Sequence, residues 1–339
     1  MNEFAQQLLT WYLTNQRHLP WRENKNPYYV WISEIMLQQT QVTTVIPYFL
    51  SFIHQFPDVE SLAHADEAVL MKAWEGLGYY SRARNLQAAA KQIVCDYQGK
   101  LPKCRTELLK LKGIGPYTAS AIASIAFDEI TAAIDGNAFR VFSRVKMEAS
   151  DIGESKSRLI FEKIGDTLIS RTSPGDFNQA IMDLGAQLCT PKQPVCEYCP
   201  VAKLCLSYQY GVQLEFPKKA KKIKKKDVYL LADLVINEEG KFLFEQRSKS
   251  GVLKDMWTFP LTEVTQQVYQ ERKSTALLEV KHVFTHLNWY ILLQIPPEVV
   301  RESSKAARWL ALDDLSSYPI PKVQHKLLQG LSSDIRKNQ

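Results

Sequence analysis

The 339-residue sequence has no run of about 18 uninterrupted apolar residues, the length a helix needs to cross a bilayer, so no helical membrane span is expected. Its first residues, Met1-Asn2-Glu3-Phe4, lack the basic stretch followed by an apolar one that marks a secretory signal; a cytoplasmic protein is expected. No segment repeats. Net charge is almost absent outside one short block: residues 1–217 hold 21 Lys and Arg against 22 Asp and Glu, and residues 227–339 hold 14 of each. The excess of +6 therefore resides in Lys218–Lys226, KKAKKIKKK, which carries seven lysines. Because both bodies are neutral, overall charge is no argument for nucleic-acid binding. A like-charge block is normally solvated and extended. Residues 216–226 are read as an interdomain linker whose lysines could also meet a polyanion.

What is present is an ordinary globular composition, 45% hydrophobic and 23% charged, which excludes wholesale disorder. The length suits about two domains. Up to residue 215 the apolar spacing is helical, as in Ala88–Cys95, Thr106–Lys112, Thr118–Ile125 and Phe177–Leu188, and no stretch sustains period-two alternation. Glycine and proline cluster between these runs, at Gly76–Gly78 and Gly113–Pro116. After the lysine block the texture changes. Val228–Ile236 is β-branched and aromatic, Asn237–Gly240 reads as a turn and Lys241–Gln246 as a second strand, predicting a hairpin. His282–Ile295 predicts a strand pair or one long strand, and Lys322–Leu331 a closing helix. An all-α domain over 1–215 and an α+β domain over 227–339 are expected.

Four of the six cysteines, Cys189, Cys196, Cys199 and Cys205, fall within 17 residues with the spacing C-x6-C-x2-C-x5-C. Without a secretory signal, a disulfide framework is disfavoured. One C-x2-C pair with a single thiolate on either side suits a compact iron–sulfur cluster better than zinc and leaves both open. Cys95 and Cys104 lie outside the pattern and are read as structural. Between two helical runs, Leu111-Lys112-Gly113-Ile114-Gly115-Pro116-Tyr117-Thr118 provides a tight turn and a helix N-terminus whose free N–H groups suit a phosphate. Asp135 follows an apolar run about 20 residues later. Glu34 stands among Trp31, Ile32, Ile35, Met36 and Leu37 on a predicted buried helix, where an acid is costly unless paired or functional and where burial raises its pKa.

These stretches, with Leu19-Pro20-Trp21-Arg22 and Gly76–Asn85 (GLGYYSRARN), resemble the helix–hairpin–helix superfamily of DNA glycosylases that includes endonuclease III, and within it the adenine DNA glycosylases of the MutY type. The resemblance covers about residues 4–330. It implies an all-α helix–hairpin–helix glycosylase domain with a [4Fe–4S] loop on Cys189, Cys196, Cys199 and Cys205, followed by an α+β Nudix-like domain. It implies adenine removal opposite 8-oxoguanine or guanine in double-stranded DNA, in base-excision repair, by a monomer. Glu34 would protonate adenine and Asp135 would stabilise the developing oxocarbenium ion, with Tyr117 and Asn137 orienting that carboxylate and the nucleotide. Trp21, Arg22 and Leu37 would line the adenine pocket. Gln39, Thr40 and Tyr79 would meet DNA near the orphaned base, and Gly113 and Gly115 its phosphates.

Two departures from relatives carry weight. Superfamily members that cut the DNA backbone place a Schiff-base lysine where this chain has Tyr117, so base removal without efficient strand cleavage is expected. After Gly251 the glutamate cluster of a Nudix hydrolase is missing. The resemblance then implies a reader domain, with Phe284, Thr285 and His286 recognising 8-oxoguanine. The rival readings are an endonuclease III-like glycosylase with lyase activity, a silent lesion-binding protein and a nucleotide-pool hydrolase.

Overall fold

The computed structural model describes residues 2–220, 225–284, 286–296 and 306–331. The chain divides into two compact units, Met1–Ala65 with Ser81–Lys221, and Asp66–Tyr80 with Lys222–Gln339.

The first unit is helical. The helices that build its site are α1 (Glu3–Asn15), α2 (Pro27–Leu37), α3 (Ser81–Tyr97), α4 (Pro116–Phe127), α5 (Gly136–Lys146) and α6 (Pro174–Gln187). Helix α2 starts where the Asn26 side chain accepts the Tyr28 N–H and Pro27 takes the first helical position. Its residues from Val30 to Met36 are all buried, Ser33 and Glu34 included, so it is a central helix rather than an amphipathic surface one. It packs on α4, α4 on α6, and α6 on α1 and α5. Small residues allow the α4–α6 approach: a Cβ added to Gly175 would lie 2.6 Å from the Ser124 carbonyl oxygen. Phe142, Phe161 and Phe177 fill the core beside α5 and α6. The helix expected over Thr106–Lys112 is shorter, Arg105–Leu108. Tighter turns follow, with Leu111 N–H bonded to Leu108 O and Ile114 N–H to Leu111 O, and they deliver the chain to Gly113 at φ +78°.

The second unit carries two small sheets. One has the order β4 (Leu261–Val264), β1 (Lys226–Asp233), β6 (Leu287–Gln294), β5 (Leu278–Val283); the other β3 (Trp257–Thr258), β2 (Phe242–Gln246), β7 (Ala307–Leu310). Strands β1 and β6 are parallel, and the other pairs are antiparallel. Helix α7 (Lys322–Gln329) contributes Val323 and Leu327 to the core around Phe244, Phe259 and Ile291. The long β1–β2 hairpin expected from the sequence does not form. The turn at Asn237–Gly240 is present and a short bridge joins Ile236 to Phe242, but β1 gives its edges to β4 and β6. The reason is that β1 is apolar on both faces over Leu230–Ala232, which suits a central strand. His282–Ile295 resolves into the ends of β5 and all of β6, joined by a tight turn.

The division between the units falls between Lys221 and Lys222, inside the segment read as a linker, and the described residues on either side of it are bonded to their own units. Arg144 Nε donates to Phe216 O at 3.2 Å and Ile152 N–H to Lys218 O at 3.1 Å, fixing the start of the segment to the first unit. At its end, Lys226 opens β1. Lys221, Lys222 and Lys224 lie outside the described residues. The segment Asp66–Tyr80, assigned to the first domain from the sequence, groups with the second unit, where Glu75 Oε1 lies 3.2 Å from His325 Nε2. Among the described residues no helix is long and apolar enough to cross a membrane.

Candidate active site

A cavity of about 370 Å³ opens in the first unit between α2, α4, α6 and the turn Pro20–Arg22. Its lining brings together Glu34, Asp135, Tyr117, Asn137, Trp21, Arg22 and Leu37, and reaches Gln39 and Thr40 at its edge. Residues scattered over more than 100 positions thus share one concave site of ligand size.

Glu34 is 5% exposed. The Tyr117 hydroxyl donates to its Oε2 at 2.5 Å. Burial pushes the Glu34 carboxyl up to about 7; the Tyr117 hydrogen bond and Arg22 oppose that rise, and the negative charge of Asp135 adds to it. The Tyr117 hydroxyl itself is held far above its ordinary range, by burial first and by Glu34 and Asp135 next, so it stays a donor. This corrects one expected contact: Tyr117 bonds to Glu34, because its position in the first turn of α4 faces α2, and Asn137 alone of the pair bonds to Asp135.

Asp135 is the N-cap of α5. Its Oδ1 accepts the Ala138 N–H at 2.7 Å and its Oδ2 accepts from Asn137 Nδ2 at 2.9 Å. Burial raises its pKa, and these two donors and Arg140 pull the other way. The approach to Asp135 is pinned by Asn178, whose Oδ1 accepts the Ala133 N–H and whose Nδ2 donates to Thr131 O at 2.9 Å and Ser124 Oγ at 2.8 Å. A helix N-terminus favours the carboxylate form. The two acids are therefore held in opposite ways, one against an uncharged donor in a dry wall, the other among backbone and amide N–H groups.

Sequence reasoning missed the parts played by Arg140, Arg17 and Asp183. Arg140 Nη2 donates to Asn137 Oδ1 at 2.8 Å and to Gly185 O at 2.7 Å, and its Nε to Cys189 O at 2.7 Å. Asn137 can lie there because Gly185 has no side chain: a Cβ would meet Asn137 Cβ at 2.6 Å. The three-residue spacing of Asn137 and Arg140 on one helix was the available signal. Asp183, fully buried on α6, accepts from both Arg17 and Arg22; an aspartate in an ordinary helical run gave no sign of this. Gln179 and Met182 of α6 also line the cavity, with Met182 Sδ 3.9 Å from the Tyr117 hydroxyl.

The segment after α2 is built for unusual geometry. Arg82 of α3 is buried and its Nη1 donates to the carbonyls of Ile35, Met36 and Gln38 at 2.8, 3.0 and 2.6 Å, satisfying the open end of α2. Gln39 then adopts a left-handed conformation at φ 59° and is exposed, while Thr40 is half-buried. Tyr79, in the second unit, is also left-handed, at φ 49°, and 46% exposed. Such backbone is uncommon for side chains of this size and concentrates at functional sites. Gly113 and Gly115 lie outside the cavity. Gly113 is required by the fold, since a Cβ there would sit 2.6 Å from Asn85 Cβ. Gly115, the N-cap of α4 at φ −92°, has open space where a Cβ would be, so nothing in the protein demands a glycine there.

Cys189, Cys196, Cys199 and Cys205 line one small, otherwise largely apolar cavity together with Arg144. Arg144 is 2% exposed; its Nη1 lies 3.2 Å from Cys189 Sγ and 2.8 Å from Thr190 O, and its Nη2 donates to Pro191 O. Among the described residues no three His, Cys, Asp or Glu side chains converge as a single ion requires. Four thiols lining one cavity are a donor set that would suit an iron–sulfur cluster. Burial pushes the Cys199 thiol up to about 12, so a thiolate there needs the charge of a bound metal. Cys95 and Cys104 are both exposed.

In the second unit, the turn between β5 and β6 presents Phe284 and His286; Thr285 lies outside the described residues. The Phe284 ring meets Trp289 edge-on at 4.9 Å and His282 at 4.8 Å. Lys225 Nζ donates to Phe284 O at 2.6 Å and the Lys226 N–H to His286 O at 3.1 Å. His286 is exposed.

Residues 32–166 match the model of the HhH-GPD superfamily base excision DNA repair proteins, and residues 232–330 that of the NUDIX domain. Among curated proteins, an adenine DNA glycosylase of Buchnera aphidicola subsp. Schizaphis graminum is 34% identical, the alignment covering 96% of this chain and 98% of that protein. The adenine DNA glycosylase of Mus musculus is 32% identical, over 96% and 77%. Among solved structures, a thermostable thymine-DNA glycosylase is 30% identical with a TM-score of 0.55, covering 61% of this chain and 95% of that one. A non-covalent endonuclease III–DNA complex, at 21% identity and TM-score 0.52 over 62% and 95%, shares the fold of the helical part.

Proposed function

The chain belongs to the adenine DNA glycosylase family and excises adenine from DNA in base-excision repair; from that premise we propose that its substrate is adenine opposite 8-oxoguanine or guanine in duplex DNA, and that Glu34 and Asp135 perform the chemistry. The observation that carries this reading is the pair of buried carboxylates in one cavity, Glu34 held by the Tyr117 hydroxyl and Asp135 by the Ala138 N–H and the Asn137 amide. Glu34 keeps its proton near neutral pH and, steadied through Oε2 by Tyr117, gives it to a ring nitrogen of the flipped adenine. The sugar–base bond breaks with its electron pair going to the purine. Asp135 faces the positive charge left on the sugar, and water adds there, returning a proton to the site. Trp21 and Leu37 supply apolar walls for the base, and Arg22 a charged one.

The cavity lining contains arginines and no lysine among the described residues, and a tyrosine hydroxyl forms no imine. The reaction therefore ends at base removal, without the strand cleavage of a lyase. A [4Fe–4S] cluster on the four cysteines would cross-link the loop that follows α6, and through Cys189 O and Arg140 support Asn137. Phe284, Thr285 and His286 would read the oxidised purine, with Gln39, Thr40 and Tyr79 entering the duplex beside it and the Gly113–Gly115 turn holding phosphate. The protein acts as a monomer.

The test is single-turnover adenine release from a duplex with adenine opposite 8-oxoguanine, comparing the cluster-loaded wild type with Glu34→Gln. We expect release by the wild type, a loss of about 10²-fold or more in the variant, retained duplex binding and no borohydride trapping. Release persisting in the variant would overturn the mechanism, and none from the wild type the substrate.

A further inference from the structure

Asp183 does not line the cavity, yet it is the most heavily bonded carboxylate beside it. Its side chain has no exposed surface. Arg17 reaches it with its backbone N–H at 3.1 Å, Nε at 2.7 Å and Nη2 at 2.6 Å. Arg22 reaches it with Nη1 at 2.7 Å and Nη2 at 3.1 Å. Arg22 is itself only 10% exposed, lines the cavity opposite no other carboxylate than Glu34 and Asp135, and lies over the Tyr12 ring with Cζ 5.9 Å from its centroid. A two-pronged contact of this kind fixes a guanidinium in plane and position.

We propose that Asp183 is a positioning residue for the base-excision reaction: it holds the Arg22 guanidinium in the pocket wall and offsets its charge, and so decides at which pH Glu34 can still deliver a proton. This rests on Glu34 being the acid. The groups that face Glu34 are Tyr117 from α4, Asp135 from the start of α5 and Arg22 from the Pro20–Arg22 turn; Asp183 stands behind Arg22 on α6. Of these, Tyr117 stays protonated and Asp135 is the same in every variant compared, so the uncompensated part of the Arg22 charge is the adjustable quantity. Burial would lift Asp183, but Arg22 and Arg17 hold its carboxyl below the usual range, so the offset persists throughout. With Asp183 neutral, two guanidinia would share no counter-charge in that wall, and the Glu34 carboxylate would form at lower pH.

The two partners therefore predict opposite effects. Single-turnover adenine release by cluster-loaded full-length protein is followed from pH 5 to 9 for wild type, Asp183→Asn and Arg22→Gln. The alkaline limb is expected to move down by about 0.5–1 pH unit in Asp183→Asn and up by a similar amount in Arg22→Gln, whatever each does to the maximum rate. Merely structural roles would lower the maximum and leave both limbs in place. A limb that stays, or moves the same way in both variants, overturns the role of Asp183 and leaves Glu34 as the acid. A wild-type rate without an alkaline limb overturns the reading of Glu34, and this inference with it. Should Asp183→Asn not fold, Arg22→Gln decides alone: an upward shift supports the proposal and an unmoved limb overturns it. Asp183→Glu, which keeps the charge, is then expected to keep the wild-type limb.

Discussion

In the helical unit, Asp135 is held by Asn137, Asn137 by Arg140, and Arg140 by the carbonyl of Cys189, each link at 2.7–2.9 Å and each on or beside a packed helix. In the second unit, His286 sits exposed in the β5–β6 turn, which is closed by the Phe284 N–H to Leu287 O bond and receives donations from Lys225 Nζ and the Lys226 N–H at the Phe284 and His286 carbonyls. The contrast is the one that the two proposed tasks would require. Stabilising a short-lived charge demands donors fixed before the reaction begins, because reorganising them would consume the gain. Reading a partner base tolerates adjustment, since its contacts form once, on binding, and persist.

The sharpest way to break this comparison is to remove charge from the rigid side while keeping its geometry. Asp135→Asn retains an oxygen for the Ala138 N–H and the N-cap of α5, so the fold should survive with little loss. Adenine release is expected to fall by at least about 10²-fold, the loss seen when a developing charge loses one preorganised partner. A circular-dichroism melt within a few degrees of wild type would show that the loss is chemical. A drop below tenfold would mean that Asp135 acts only as a cap.

A second prediction concerns pH. Glu34 must be protonated to act, and burial sets its pKa at about 7. As pH rises through 7, the protonated fraction, and with it the single-turnover rate, should fall, approaching tenfold per unit above about pH 8. Asp135 must be ionised, so the rate also falls on the acid side. The same raised pKa makes the folded state bind a proton that the unfolded chain releases near pH 4.5, so this group's contribution to stability is complete below that value and lost as pH climbs through 7. A rate that is constant from pH 6 to 9 would remove Glu34 from the chemistry.

How much of this was legible beforehand depended on whether a side chain meets substrate or only another side chain. Glu34, Tyr117, Asp135 and Trp21 stand in the motifs that carry the family resemblance, and the structure brings them to one cavity. Arg17, Arg140 and Asp183 meet protein partners up to 166 positions away, and nothing local distinguishes them from surface charges. The all-α and α+β assignments followed from periodicity. The β1–β2 hairpin failed because a turn signal at Asn237–Gly240 says that the chain reverses, not that the whole flanking strands pair. Charge repetition likewise made Lys218–Lys226 look uniform, although Lys218 and Lys226 take backbone bonds in different units.

That last observation gives the smallest predicted effect and sharpens the reader side of the comparison. Lys225 Nζ donates to Phe284 O at 2.6 Å, so one lysine of the block supports the turn while remaining exposed. An exposed hydrogen bond of a charged donor contributes about 0.5–1.5 kcal/mol net, which corresponds to roughly 2–10-fold in a ratio of rates or affinities. Lys225→Met should therefore lower the preference for adenine opposite 8-oxoguanine over adenine opposite guanine by that factor. His286→Ala, which removes a side chain proposed to read the base, should lower it further. Measuring both substrates at 50 and 200 mM salt separates support from electrostatics: loss of a phosphate contact would weaken the two duplexes equally and flatten the salt dependence. A change in preference at constant salt slope identifies Lys225 as part of the reader. Equal weakening of both duplexes would return it to the polycation and leave the turn held by its own hairpin.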